Sequence, residues 1–369
     1  MTSTTLLIFQ TLSAMKKSIT LIVLSSLTFA SSASACFDKA TYYGIDKDVE
    51  AIASSLDNED DLIHFYGGIV RMVAHDFMDY DRNSDTPMGS DGCIDWGHDA
   101  NRGFWGSIWC DGCDLTKVYH EKYGHLSKAD FWIASANAVI RNLSVDKSLD
   151  LVDTFLWGRR DADSCQGQGD RIPMGSGCRE VQDVFLDAMG LTWRDSVALL
   201  GAHTIGKAHS EFSGHDGYWM PSGQEALVFD KQYYEELVMR PWRARNIGKE
   251  EEDFIASTEM THQEPQMMLK TDLCFWFDTD NHYPCCTRTN RWMDGQNWCD
   301  WEEKLSDLKC TRYDSDSSRM EAVESVVEFL GGRRPNENND PFYQAFSTAW
   351  FKATTNGHGD LKALRGECW

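Results

Sequence analysis

The sequence predicts a mainly α-helical chain. Three observations carry this: apolar residues recur at three- and four-residue steps in several segments, strand-like alternation is rare, and proline is scarce, at 8 of 369 residues. Hydrophobic residues at 42% and aromatics at 12% are ample for a large buried core and exclude a disordered or low-complexity chain. The length fits one large domain or two lobes. The sequence holds neither an internal repeat nor a long linker.

In chain order, the first element is a leader. Lys16 and Lys17 precede an apolar run, Ile19 to Ala30, and Ala33-Ser34-Ala35 is an A-x-A cleavage pattern. The run is short for a membrane span. The pattern predicts a signal peptide over residues 1–35, with a functional start at Met15, and a secreted, soluble chain beginning near Cys36. Twelve cysteines, an even count, fit disulfides in such a chain. Next, Ile63, Tyr66, Val70, Val73 and Phe77 line one face of a helix. Asp79 to Asp99, dense in Asp and Gly, reads as a loop. Thr192-Trp193-Arg194-Asp195 is a capping box that opens a helix through Val197, Leu199 and Leu200. Asp272 to Cys310 reads as a cysteine-rich, aromatic-rich irregular segment held by disulfides. Met320 to Leu330 is a helix stopped by Gly331-Gly332, and Phe342, Phe346, Ala349 and Trp350 mark a last amphipathic helix.

The formal net charge of -23 bounds the partners. So acidic a surface repels phosphate, which disfavours nucleic acid and anionic membranes. Neutral or cationic small molecules, or a basic protein, remain compatible.

Two pairs of residue types stand out. Arg71 and His75 lie four apart, on one face of the helix beside its apolar stripe. Burying an Arg and a His there is costly without a purpose, and by themselves they also fit a surface or capping pair. His203 closes the helix Val197 to Leu200 and is followed by small residues; it suits either a satisfied core histidine or an axial metal ligand. Cys110-x-x-Cys113 with His120 and His125 is too tightly spaced for a zinc finger, and disulfide formation is the stronger reading.

Taken together, the motifs form an ordered series. Arg71-x-x-x-His75-Asp76, Asn101-Arg102-Gly103-Phe104, Leu126 to Phe131, Gly158-Arg159-Arg160-Asp161-Ala162, Phe185 to Thr192, Gly201-Ala202-His203-Thr204-Ile205-Gly206, Phe229 to Tyr234 and Met268 to Leu273 follow one another. This series resembles the haem peroxidase superfamily of plants, fungi and bacteria, from about residue 60 to 275. The resemblance implies a two-lobed α-helical fold with haem b between a distal lobe, 36–175, and a proximal lobe, 176–369, the latter carrying the cysteine-rich insert 272–313. It implies that His203 binds the haem iron and that Asp272 accepts from its other ring nitrogen. His75 would move the proton of hydrogen peroxide, Arg71 would stabilise charge as the O–O bond breaks, and Asn101 would orient His75. Pro173 resembles the residue at the family's access channel.

Departures from the family pattern refine these expectations. Ala74 stands where a Trp or Phe usually precedes the distal histidine, so either the space is open or Phe77 or Phe104 fills it. Asp76, Gly89 and Asp91 resemble the distal calcium loop of the secreted branches, with Cys93 in place of a Ser ligand. Thr204 and Asp230 match a second calcium site. Trp219 resembles the intracellular branch, where a Trp beside the proximal histidine carries an oxidising equivalent. His64, Gly68 and His209 replace the acids of manganese-oxidising relatives, Ala198 replaces the surface Trp of lignin-oxidising ones, and Phe212 replaces an Arg used by ascorbate peroxidases. The remaining donors are small phenols and other aromatics, with a basic protein donor as an alternative that Trp219 motivates. A different class, an extracellular structural or binding protein with little turnover, is motivated by Ala74 and the insert.

Overall fold

The computed structural model describes residues 36–365 apart from 87, 174–176, 249–250, 257–264, 280–284, 287–309, 314–317 and 332–337. The leader at 1–35 and Cys299 of the insert therefore lie outside the described residues.

Helix α1 (Lys39–Ser54) opens on Asp38, whose carboxylate accepts the Thr41 N–H at 2.8 Å. Helix α2 (Glu59–Met78) opens on Asn58 in the same way, and Glu59, Asp60 and Asp61 complement the exposed amides of its first turn. Its buried stripe holds the Ile63, Tyr66, Val70, Val73 and Phe77 of the sequence pattern. Helix α3 (Lys128–Leu143) is buried on every face from Ala129 to Ile140, as a central helix must be, and α1 and α2 pack against it.

Helix α4 (Trp193–Leu200) has both halves of the capping box: Thr192 Oγ1 accepts from the Asp195 N–H, and Asp195 accepts from the Thr192 N–H. Helix α5 (Gln232–Met239), helix α6 (Met320–Leu330) and helix α7 (Asp340–Thr355) complete the second half, with α6 and α7 packed on α4. Gly331 ends α6 in the left-handed region, φ 65°. No helix among the described residues is long and apolar enough to cross a membrane.

One buried ion pair ties the central helix α3 to the end of α7. Arg159 Nη1 meets Asp130 Oδ1 at 2.7 Å, and its Nε and Nη2 donate to the Thr354 carbonyl at the end of α7. Removing one partner would strand the other charge, at a cost of about 3–5 kcal/mol. Disulfides Cys93–Cys165 and Cys178–Cys274 span 72 and 96 residues, and closing loops of that length constrains the unfolded chain by roughly 4–5 kcal/mol each. Cys110 and Cys113 are also bonded to each other, as are Cys286 and Cys310, and no described cysteine is free.

The sheet is more than the sequence predicts. Strands β1 (Trp242–Gly248), β2 (Glu251–Ala256), β3 (Met267–Leu269) and β4 (Cys285–Cys286) form an antiparallel sheet in the order β3-β2-β1-β4. Trp242 and Ala244 alternate with Arg243 and Arg245 for only two periods, a faint signal. Register is fixed instead by a directly opposed pair, Arg245 and Asp253, joined at 2.6 and 2.8 Å. The sheet matters because β3 leads directly into the single turn Lys270–Leu273 that carries Asp272.

Candidate active site

A slot with about 1590 Å³ of empty space, part of it open solvent, lies between α2 and the turn that follows α4. Arg71, Ala74 and His75 reach it from α2, His203 from the turn Gly201–Thr204, and Pro173 and Trp219 from the loops. Its walls are otherwise mostly apolar, including Val70, Ile172, Leu199, Leu200 and Leu269. One edge is set by a backbone contact. A Cβ on Gly67 of α2 would sit 2.9 Å from the Gly206 Cα, and Gly206 has φ +87°, so α2 approaches the His203 segment as closely as two glycines allow.

On the α2 side, His75 Nδ1 is 3.0 Å from Asn101 Oδ1. An amide oxygen can only accept, so this contact puts the proton on Nδ1 and leaves Nε2 as the free, accepting nitrogen. Burial, then the Arg71 charge, hold His75 well below the usual imidazole range, so it is neutral at pH 7. Asn101 is itself fixed: its Nδ2 donates to the Asp95 carbonyl and to Gln168 Oε1, and Gln168 Nε2 donates back to the His75 carbonyl. Arg71 donates to the carbonyls of Arg102 and Ala100 at 2.8 and 2.7 Å, with its guanidinium 4.4 Å from the Phe104 ring centre. Burial lowers Arg71 to about 10, still fully charged at neutral pH. Phe104 meets His75 edge-on at 5.2 Å. Phe77 packs on Trp350 and also lines the slot, while Phe104 is the aromatic ring that meets His75 beside Ala74.

On the opposite side, Asp272 is fully buried and saturated with donors. His203 Nδ1 and the Tyr233 hydroxyl reach Oδ1 at 2.7 and 2.8 Å; the Trp219 Nε1–H and the Leu269 N–H reach Oδ2, each at 2.8 Å. Burial alone would raise Asp272, but the adjacent His203 and these hydrogen bonds outweigh it and hold the carboxyl below its usual range. The Trp219 ring stacks on His203 at 4.3 Å. His203 therefore carries a Nδ1 proton locked on a carboxylate and a second nitrogen free for a ligand.

Gln168 and Tyr233 are the two participants that sequence reasoning missed. Gln168 sits in an irregular loop with no spacing signal, and Tyr233 falls within the Phe229 to Tyr234 motif without a role marked by it.

The residues expected at calcium sites lie away from the slot. Asp76 accepts the Gly92 and Cys93 N–H groups, and Gly89 donates to Asp79. Cys93, bonded to Cys165, has no side-chain oxygen to offer. Buried beside them without hydrogen-bond partners among the described residues are Asp79 Oδ2, Ser90 Oγ and Asp91 Oδ1. Burial, then neighbouring carboxylates, raise Asp79 to about 8 and Asp91 to about 6. Thr204 Oγ1 donates to the Val228 carbonyl, and Asp230 accepts from the Gln232 N–H. Among the described residues, no group of three or more His, Cys, Asp or Glu side chains is gathered to hold a metal ion.

Comparison with known proteins gives one family. The family model described as Peroxidase matches residues 49–289. L-ascorbate peroxidase 3 of Arabidopsis thaliana is 37% identical over 46% of this chain, and a probable peroxisomal L-ascorbate peroxidase 4 of Oryza sativa is 33% identical over the same share. Mitochondrial cytochrome c peroxidase of Aspergillus fumigatus is 31% identical over 63% of the chain. The chain spans 55% of the length of the two plant relatives and 60% of the fungal one.

These relatives correct the expectation of a secreted protein. They carry peroxisomal and mitochondrial names, and an Arabidopsis relative 34% identical is named cytosolic. The expectation rested on a basic pair before an apolar run and on an even cysteine count, and the relatives' names overturn it. With the match extending over more than half of its residues, and the paired histidines facing one slot, this chain belongs to the peroxidase family, within the haem peroxidase superfamily of plants, fungi and bacteria.

Proposed function

We propose that the protein is a haem peroxidase that reduces hydrogen peroxide to water and oxidises small phenolic or other aromatic donors in one-electron steps. The observation that carries the reading is the opposition of two imidazoles across one slot, one held by a neutral amide and the other by a carboxylate. In this reading 36–175 forms the distal lobe and 176–369 the proximal lobe.

The slot fits haem b. A free nitrogen on His203, apolar walls for a porphyrin and an open side suit a flat, mostly apolar ligand with a polar edge. When bound, haem supplies the iron at which the O–O bond of peroxide is reduced. His203 would hold the iron through its free nitrogen, and Asp272, drawing the Nδ1 proton, would raise the basicity of that nitrogen. His75 Nε2 takes the proton from the nearer peroxide oxygen and returns it to the departing one. Arg71, pinned by two carbonyls and the Phe104 face, stabilises the negative charge that develops as the bond breaks. Asn101 and Gln168 keep the His75 proton on Nδ1. Overall, one peroxide and two donors, each giving up one electron and one proton, yield two waters and two donor radicals.

Small donors reach the slot past Pro173. Phe212 lines it where an Arg would serve an anionic donor, which favours neutral aromatics over ascorbate. A basic protein donor is a second reading, favoured by the Trp219 ring lying on His203 with its N–H on Asp272. Calcium at Asp76, Gly89 and Asp91 is supported by the crowding of buried carboxylates in that loop, whereas calcium at Thr204 and Asp230 rests on the resemblance alone.

The test is turnover by the haem-reconstituted chain with peroxide and guaiacol. Peroxide-dependent oxidation of the phenol supports the reading. Full haem loading without oxidation of guaiacol, ascorbate or a basic cytochrome would leave a binding protein instead. Loss of cytochrome oxidation alone in Trp219→Phe would select the protein-donor route.

A further inference from the structure

The four disulfides seen between described residues differ in what they can do. Cys93–Cys165, Cys178–Cys274 and Cys286–Cys310 join residues 72, 96 and 24 positions apart, and Cys93, Cys178, Cys274 and Cys286 are buried. Cys110–Cys113 joins residues 3 apart. A loop so short loses little chain entropy on closure, so this bond adds little to the stability of the fold. Both of its cysteines are partly exposed, and Asp111 and Gly112 between them are exposed. A Cβ at Gly112 would meet nothing within 4 Å, so the turn stands open to an incoming thiol.

The backbone beneath the turn is held independently of the bond. Trp109 is buried and packs edge-on against Trp132 at 5.1 Å. The Cys110 N–H donates to Thr116 Oγ1, and the Cys113 N–H donates to the Cys110 carbonyl, each at 3.1 Å. The two Cα atoms, 5.1 Å apart, would stay close after reduction. Accessible disulfides that contribute little to a fold are the labile class in thiol–disulfide exchange. The relatives' peroxisomal, mitochondrial and cytosolic names make thiol chemistry relevant to this chain.

We propose that Cys110–Cys113 is a redox-active disulfide that takes two electrons from an external dithiol and gives them back by exchange. A donor thiolate attacks one Sγ, forming a mixed disulfide and releasing the other cysteine as a thiolate, which takes up a proton. The second donor thiol then attacks the donor sulfur of the mixed disulfide and releases the remaining cysteine. The donor ends as a disulfide, and both electrons and both protons reside on Cys110 and Cys113. The site needs neither haem nor peroxide, so its test is independent of the peroxidase reading.

The experiment exposes the folded, full-length oxidised protein to dithiothreitol for graded times, quenches with acid, alkylates free thiols and reads each cysteine by peptide mass spectrometry. Cys110 and Cys113 are expected to become labelled together, at least about ten-fold faster than Cys93, Cys165, Cys178 and Cys274. Replacing dithiothreitol with hydroxyethyl disulfide should restore the bond with the far-ultraviolet circular dichroism unchanged. In Cys110→Ser, the single thiol of Cys113 should form a mixed disulfide with the same reagent. Reduction of Cys110–Cys113 no faster than the long-range pairs Cys93–Cys165 and Cys178–Cys274, failure to re-form it by exchange, or an unmodified Cys113 in that variant would each overturn the proposal.

Discussion

The two sides of the slot use the same side chain for opposite ends. His75 and His203 both carry a hydrogen bond at Nδ1, at 3.0 and 2.7 Å. The partner makes the difference. Asn101 is a neutral oxygen that fixes orientation and leaves His75 uncharged, a base ready to receive a proton. Asp272 is an ionised carboxylate with donors on both oxygens, unable to turn away, which in the proposed reading would make His203 a strong ligand. An imidazole's role is thus set one residue further out, where a sequence motif centred on the histidine does not look.

Substitutions on the two sides should therefore fail in different ways. The largest kinetic effect is expected from His75→Leu, which should slow the first reaction with peroxide by about 10²–10⁴-fold while haem still binds, measured by stopped-flow absorbance. Arg71→Leu should slow the same step by about 10²–10³-fold, the cost of losing one preorganised charge-stabilising donor. On the other side, Asp272→Asn should weaken haem retention or activity by about 10–100-fold, read by haem transfer to a scavenger and by turnover. Equal kinetic defects from Asp272→Asn and His75→Leu, with haem retention unchanged in both, would erase the contrast.

The pH dependence separates the sides further. Because His75 is held well below the usual imidazole range, the peroxide reaction should stay level as pH falls from 7 through 6. A decline centred near 6.5 would mean an unperturbed base. The acidic loop should act on stability instead. Asp79 and Asp91, raised to about 8 and about 6, bind protons more tightly folded than unfolded. Their stabilisation is complete below about pH 4 and is lost as pH rises toward 8. A bound cation would favour the ionised forms, so calcium added to chelator-treated protein at pH 8 should raise the melting temperature if the loop holds it. An unchanged melting temperature would leave protons as the compensating charge.

How far the sequence could be read depended on how local each signal was. The α2 stripe, the Thr192 capping box and the stop at Gly331 are local, and they stand where periodicity and capping chemistry put them. The pairing of His203 with Asp272 spans 69 residues, and no spacing rule brings them together; it was legible only through the resemblance of the ordered motifs. Gln168 was invisible, since its role is a pair of hydrogen bonds made by an irregular loop. The sheet was missed because its register rests on one ion pair, Arg245 with Asp253, rather than on a long alternation. The secreted destination, read from the leader pattern and the cysteine count, is overturned by the relatives' names.

The most direct measurement is reconstitution of purified wild type, His203→Ala and His75→Leu with haemin, followed by absorbance before and after one equivalent of peroxide. Wild type and His75→Leu should give the same Soret intensity, with only wild type changing rapidly on peroxide, and His203→Ala should fail to hold the haem. A His203→Ala protein that binds haem normally and reacts at the wild-type rate would contradict the assignment of the two imidazoles.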